Sequence, residues 1–229
     1  NNSGVFTANG VLGLTDPVPL SQVVGGPAAP TFADTDGDGD LDLYVGTNTG
    51  EIVTFTNANG FFSATGDLQS NLNLTIDHGI QSVPTFRDAD NDGDLDLYLN
   101  SWSTNIFLYT NNGGVFTAAG KVQANDIPVH VDGYSSPVFA DIDADGDLDL
   151  YVGNNSGQLE VFTNNNGGFT GIGNLQSIGV TSSSAPTFAD IDNDGDLDLY
   201  VGSNDGTIEE FNNANGTFTS AGDLQAGGN

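Results

Sequence analysis

Four copies of one acidic loop carry the chemistry of this chain. The first reads Asp34-x-Asp36-x-Asp38-Gly39-Asp40-x-Asp42. The same spelling recurs with Asp88, Asp90, Asp92, Asp94 and Asp96, with Asp141, Asp143, Asp145, Asp147 and Asp149, and with Asp190, Asp192, Asp194, Asp196 and Asp198. Each copy sets aspartates at positions 1, 3, 5, 7 and 9, puts glycine at position 6, and runs straight into Leu-Asp-Leu-Tyr. Five carboxylates in so short a stretch repel one another unless a hard cation sits among them. Oxygen donors at this spacing suit calcium, so about four Ca2+ ions, one per loop, are expected.

The loops sit in a repeat. Anchored on the proline before each loop (Pro30, Pro84, Pro137 and Pro186), the spacing is 54, 53 and 49 residues. The units run 30–83, 84–136, 137–185 and 186–229, after an N-terminal strand and linker at 1–29. One unit reads Pro-Thr-Phe-Ala, the loop, Leu-Asp-Leu-Tyr-Val-Gly, a short turn, Glu51-Ile52-Val53-Thr54-Phe55-Thr56, an Asn-rich turn, then Phe61-Phe62-Ser63-Ala64. Leu41, Leu43 and Val45 alternate with Asp40, Asp42 and Tyr44, which predicts a strand with one buried face. Asn/Gly clusters between the bursts are turn chemistry, and no segment shows helical periodicity with caps. Four short strands per unit predict an all-β chain: a β-propeller-type array of four four-stranded blades, each with an Asp-rich loop. The strand before each loop is expected innermost, with Phe32, Phe86, Phe139 and Phe188 packed between neighbouring blades. A blade cannot bury both faces alone, so adjacent units must share a core.

The N-terminus is unusual. Residues Asn1 to Ala8 match Asn111 to Ala118 and also Asn213 to Ser220, so the chain opens with an extra copy of the outermost strand. Two explanations stand. Residues 1–29 are the tail of an earlier blade in a longer chain, or the extra strand pairs with an exposed edge on a neighbouring molecule. Head-to-tail strand addition does not close and would make a filament.

Charge is one-sided: 31 acidic residues stand against Arg87 and Lys121, for a formal net of -29. Phosphate neutralisation is out of reach for such a polyanion, and anionic membranes repel it, so neither nucleic-acid binding nor membrane insertion is expected. No apolar run approaches a membrane span. With no cysteine, disulfides contribute nothing. Weak aspartate loops fill at extracellular rather than cytosolic calcium levels, which places the chain outside the cell or on its surface. A chain with no Met that opens at Asn1 reads as processed or partial.

Other chemistry is thin. Paired carboxylates could serve a glycosidase, but carboxylates repeated in register are better read as metal ligands. A lyase acting on acidic sugars needs cations and a base, and only Arg87, Lys121, His78 and His130 are on offer. No nucleophile elbow or phosphate loop appears, so no enzymatic activity is expected. Trp102 falls in a turn and could stack on a sugar or simply cover a local gap. Glycosylation sequons begin at Asn1, Asn73, Asn154 and Asn215, as chance allows in a chain rich in Asn, Ser and Thr.

From Pro30 to about Gln225 the repeated Asp-x-Asp-x-Asp-Gly-Asp-x-Asp loop, following an Ala-Pro-Thr-Phe-type strand, resembles the FG-GAP/VCBS repeat family of β-propellers. That family includes the blades of integrin α-subunits and several secreted lectins. The resemblance implies calcium in the loop between the first two strands of each blade. It implies carboxylate ligands from Asp34, Asp36, Asp38 and Asp42, a backbone carbonyl from Asp40, and the same roles for matching residues of the other loops. Family propellers usually have more blades, often seven. The second unit also departs from the first, placing Asn100 and Thr104 where Gly46 and Gly50 stand. An EF-hand does not fit, because position 12 is Val45, Leu99, Val152 and Val201 rather than glutamate.

A dissociation constant near ~0.1 mM at ~1 mM free calcium stabilises a fold by about 1.4 kcal/mol per site, and four such sites by roughly 6 kcal/mol. That rivals the net stability of a domain, so calcium reads as structural. The expected function is a non-enzymatic extracellular structural or adhesive module, with filament assembly by strand addition as an extension. Its partners would be further copies of itself, or an extracellular protein or glycan. The alternative is a calcium-dependent glycan-binding lectin.

Overall fold

The computed structural model describes residues 28–59, 61–67, 82–90, 92–100, 105–130, 135–175, 180 and 183–224. Every regular element among them is a strand. The first unit comprises β1 (Ala29–Ala33), β2 (Asp42–Gly46), β3 (Ile52–Ala58) and β4 (Phe61–Asp67). The second comprises β5 (Val83–Arg87), β6 (Asp96–Asn100), β7 (Ile106–Asn112) and β8 (Val115–Lys121). A short hairpin follows, β9 (Gln123–Ala124) and β10 (Ile127–Pro128). The third unit comprises β11 (Ser136–Ala140), β12 (Asp149–Gly153), β13 (Leu159–Asn165) and β14 (Gly168–Asn174). The fourth comprises β15 (Ala185–Ala189), β16 (Asp198–Gly202), β17 (Ile208–Ala214) and β18 (Thr217–Asp223).

Each unit is an antiparallel meander in chain order, so four four-stranded blades stand as the repeat predicts. The register is the same in all four: the loop-preceding phenylalanine lies opposite the first leucine of the second strand, as in Phe32–Leu43 and Phe86–Leu97. A register shift recurs at one point in every third strand, at Thr54/Phe55, Leu108/Tyr109, Val161/Phe162 and Glu210/Phe211. Such bulges increase local twist, which suits blades that must splay outward. The first strands of successive blades pack on one another, so the strand before each loop is innermost.

Three of the core clusters among the described residues lie between blades, and a smaller one, Leu43, Val45, Val53 and Phe55 with Phe62 against it, lies within the first blade. Tyr44 and Ile52 of the first blade meet Phe86, Leu97 and Phe116 of the second. Tyr98 and Ile106 of the second meet Phe139, Leu150 and Phe169 of the third. Tyr151 and Leu159 of the third meet Leu199, Val201 and Phe211 of the fourth. Ile52, Ile106 and Leu159 are wholly buried, each by the blade that follows it. Burial of one such side chain contributes about 1.5–3 kcal/mol, so each seam rests on several units of that size.

Polar clamps close the seams at one end. Ser82 accepts the Thr47 N–H at 3.0 Å and donates to the Glu51 carbonyl at 2.6 Å, tying the second blade to the turn of the first. Ser184 does the same to Asn154 and Gln158, at 2.9 and 2.6 Å. Close approach there explains Gly46 and Gly153, where a Cβ would collide with the Ser82 and Ser184 carbonyl oxygens. The second blade solves the problem differently. Asn100 replaces glycine, and its amide donates to both the carbonyl and the hydroxyl of Ser135 at 2.5 Å.

Two expectations need correction. The second strand is buried on both faces in each of the first three blades, because it lies midway across the seam, and Leu41 belongs to the exposed loop instead. Phe32 does not pack between blades as Phe86 and Phe139 do: it is 52% exposed against their 3% and 6%. No described blade precedes the first. The four-stranded blades stand, and the third sheet is extended by the β9–β10 hairpin, because β9 pairs in parallel with β14 through Ala124 and Phe169. The extra strand expected near Asn1, together with His78 and Trp102, lies outside the described residues.

Candidate metal centres

Each acidic loop bridges the first and second strands of its blade at the same edge of the array. The loop folds around its own carboxylates. The position-1 aspartate accepts the N–H of the position-6 glycine: Gly39 to Asp34 at 3.0 Å, Gly93 to Asp88 at 3.0 Å, Gly146 to Asp141 at 3.1 Å and Gly195 to Asp190 at 3.2 Å. Those glycines have φ between 91° and 100°, a region closed to most side chains, which is why the spelling keeps glycine there. Position 3 accepts the position-5 N–H and position 5 accepts the position-7 N–H, as in Asp38 to Asp36 and Asp40 to Asp38. The other three loops repeat both bonds.

This winding brings three carboxylates together in every loop. Asp34, Asp36 and Asp38 offer oxygens within 4.8 Å of one another, as do Asp141, Asp143 and Asp145, and Asp190, Asp192 and Asp194. In the second loop the trio is Asp88, Asp90 and the buried Asp96, and Asp92 stands outside it. Positions 7 and 9 also bond to the blade. Position 7 turns its carboxylate to the hairpin between the third and fourth strands: Asp40 accepts from Asn59 at 2.9 Å, Asp94 from Gly113 at 2.7 Å, Asp147 from Asn166 at 2.6 Å and Asp196 from Asn215 at 2.9 Å. Position 9 is buried at Asp42, Asp96, Asp149 and Asp198, and each accepts a backbone N–H from Asn57, Asn111, Asn164 or Asn213, at 2.7–3.0 Å.

Those four asparagines are the residues the sequence reading missed. Besides the backbone bond, each donates its side-chain amide to the carbonyl of Leu41, Leu95, Leu148 or Leu197 at position 8, at 3.0–3.2 Å. They stand a constant fifteen residues beyond position 9 in all four units, a signal hidden by the general richness of asparagine in the turns.

Electrostatics make the metal-free loops uncomfortable. Burial pushes the Asp149 carboxyl up to about 6; the Asn164 amide opposes this, and the charges of Asp143, Asp145 and Asp141 add to it. Burial likewise raises Asp42 and Asp96, again against an asparagine amide and with neighbouring loop carboxylates adding. Oδ1 of Asp88 and Oδ1 of Asp141 are buried with no hydrogen-bond partner. An orphaned buried carboxylate oxygen costs free energy unless a cation meets it, and the all-oxygen donor set suits a hard divalent ion. The residues therefore fit calcium.

The other candidates are dispersed. The half-buried Arg87 donates to the Phe86 carbonyl at 2.8 Å, and Lys121 stands over the Phe107 ring at 5.9 Å. His130 is exposed and bridges to Asn105 through the backbone. Of the sequons, Asn154 is 1% exposed and hydrogen-bonded, so it is closed to glycosylation in the fold, whereas Asn215 is exposed in a turn.

Four-stranded blades in series, each with an acidic loop between its first two strands, define a propeller-type repeat protein. The FG-GAP-like repeat matches at residues 34–99, 88–152 and 141–201, and the chain belongs to that family. A search of curated proteins returns no match. Among solved structures, a chain of the Tc holotoxin pore of Photorhabdus luminescens is similar at 19% identity, with a TM-score of 0.48. The match covers 91% of this chain and 10% of that one.

Proposed function

We propose that this protein is a non-enzymatic, calcium-stapled structural or adhesive module that works outside the cell. The observation that carries the reading is the repetition of one loop geometry in four blades, each bringing three carboxylates within 4.8 Å. Each loop is wired to its own blade at two further points, through position 7 to one hairpin and through position 9 to the third strand. An ion gripping positions 1 and 3 together with position 5, or with position 9 in the second loop, therefore fixes loop, hairpin and strand together. Loops this rich in carboxylate and this exposed suit the calcium concentrations found outside cells.

The test is thermal melting of metal-stripped protein with and without about 1 mM calcium, a level at which weak extracellular sites fill. A clear rise in melting temperature on adding calcium is expected. An unchanged transition would end the calcium reading.

Assembly into filaments by strand addition is supported by a separate observation. β18 ends its sheet, with residues exposed along most of its length, whereas the matching strand β14 has β9 added to its edge. Residues 1–8 repeat the sequence of this outer strand and its turn. Donation of that segment to β18 of a neighbouring copy would give an open, head-to-tail array. Deleting residues 1–14 should abolish filaments in electron micrographs; unaltered assembly would rule this version out.

A further inference from the structure

Asn111 touches two metal loops at once. Its backbone N–H donates to Asp96 at 2.7 Å and its side-chain amide to the Leu95 carbonyl at 3.1 Å, both in the second loop. The same amide nitrogen donates to the Thr35 carbonyl at 2.9 Å, inside the first loop and in the preceding blade. The Gly114 N–H donates to the Asn111 side-chain oxygen at 2.9 Å, which fixes which end of the amide faces the two carbonyls. Gly114 itself lies against the first loop, so that a Cβ there would stand 3.5 Å from Cβ of Asp36. A second strut runs beside it: the Thr35 hydroxyl is hydrogen-bonded to Tyr44 at 2.5 Å, and the Tyr44 ring packs on Phe86 of the second blade. Asn164 and Asn213 make the same bonds within their own blades, without a hydrogen bond to the preceding loop.

We propose that Asn111 couples the first and second metal sites, so that an ion in either loop raises the affinity of the other. This rests on the calcium reading above. Ordering the second loop fixes Asp96 and Leu95, and with them Asn111. A fixed Asn111 holds the Thr35 carbonyl and pre-orders the first loop, so the ordering entropy is spent once for two ions. Linkage makes the effect reciprocal: whatever factor the second site exerts on the first, the first exerts on the second.

The test is a calcium titration of the full chain, 15N-labelled, following the position-6 amides of Gly39, Gly93, Gly146 and Gly195 as reporters of the four sites. Asp90→Asn weakens the second site and should raise the calcium midpoint read at Gly39 by about fivefold or more, the lower end of ordinary coupling. Asp36→Asn should raise the midpoint at Gly93 by the same factor. Gly195 should not move in either variant. Asn111→Ala should raise the midpoints at both Gly39 and Gly93, whereas Asn213→Ala should move Gly195 alone. A Gly39 midpoint unchanged by Asp90→Asn overturns the coupling. Should Asn111→Ala fail to fold, the two aspartate variants decide the matter. A native chain in which no glycine amide responds to calcium sinks the calcium reading itself, a distinct outcome.

Discussion

The rings of Tyr44 and Phe86 belong to different blades and lie 4.6 Å apart at 52°. The same pair recurs as Tyr98–Phe139 at 4.5 Å and Tyr151–Phe188 at 4.8 Å. Behind it, the loop-preceding phenylalanine meets an outer-strand ring of its own blade, as in Phe86–Phe116 at 6.1 Å. Each seam is thus a three-ring stack running from one blade into the next. An aromatic pair adds about 0.5–1.5 kcal/mol beyond the area it buries. The fold is held by its seams.

Removing a seam ring should therefore cost far more than removing the same residue at the open face. Phe139→Ala should destabilise by about 3–5 kcal/mol, the range for a buried phenylalanine. Phe32→Ala, at a position 52% exposed, should cost about 1 kcal/mol or less. Urea denaturation of the calcium-loaded chain measures both. Equal losses would mean that the first blade's outer face is as covered as the internal seams.

Neutralising one loop carboxylate should change sign with the metal. Asp143 belongs to the trio of the third loop, so Asp143→Asn removes a ligand where calcium is present. The expected loss is about 1.4 kcal/mol, the contribution of one weak site at extracellular calcium. In metal-stripped protein the same change removes a repulsive charge beside the buried Asp149, and stability should rise or hold. Melting curves of both proteins in both conditions give the four values needed. A loss of equal size without metal would assign Asp143 a purely structural role.

The loops were legible because chemistry forces their spelling: a carboxylate at every odd position and glycine where φ is positive leave few substitutes. The strands were legible from Pro-Thr-Phe and Leu-Asp-Leu-Tyr. What stayed hidden depends on neighbours. Phe32 carries the same motif as Phe86, and only the fold shows that no described blade covers it. Period two in β2 looked one-sided because its second face holds Asp42 and Tyr44, polar types buried here by an asparagine amide and by the next blade. The resemblance gave Asp40 and its equivalents only a backbone-carbonyl role, and the spacing gave no sign that their carboxylates bond to the hairpin between the third and fourth strands. The β9–β10 hairpin is too short to rise above the turns around it.

Acid dependence should also invert with the metal. Asp149 has its pKa raised from 3.8 to about 6 in the metal-free fold. Between those values the folded chain holds a proton that the unfolded chain has released. The stability of metal-stripped protein should therefore be greatest below the lower value and fall as pH rises toward the upper one. Calcium competes with that proton, so the loaded protein should gain stability over the same interval. Melting temperatures taken from about pH 4 to about pH 7, with and without calcium, should form two lines of opposite slope. Parallel lines would mean that no ion reaches the Asp149 loop.

The seam clamps give the sharpest contrast. Gly153 and Gly202 occupy the same position in the third and fourth blades, each the last residue of its second strand. At Gly153 a Cβ would collide with the Ser184 carbonyl oxygen and stand 2.7 Å from Pro186 Cδ, so the following blade would have to move away. At Gly202 the nearest atom would lie 3.8 Å away, an ordinary contact. Gly153→Ala should cost about 3 kcal/mol or more, the upper range for overpacking against atoms that cannot yield. Gly202→Ala should lie within about 1 kcal/mol of the parent, since it adds a methyl group where space exists. Denaturation midpoints compare the two directly, and hydrogen exchange at Ser184 reads the seam itself. Its amide donates to the Asn154 carbonyl at 2.9 Å, so protection there should be lost in Gly153→Ala and kept in Gly202→Ala. Loss of protection in both would show that the fourth blade's free face, not the clamp, sets the stability of that seam.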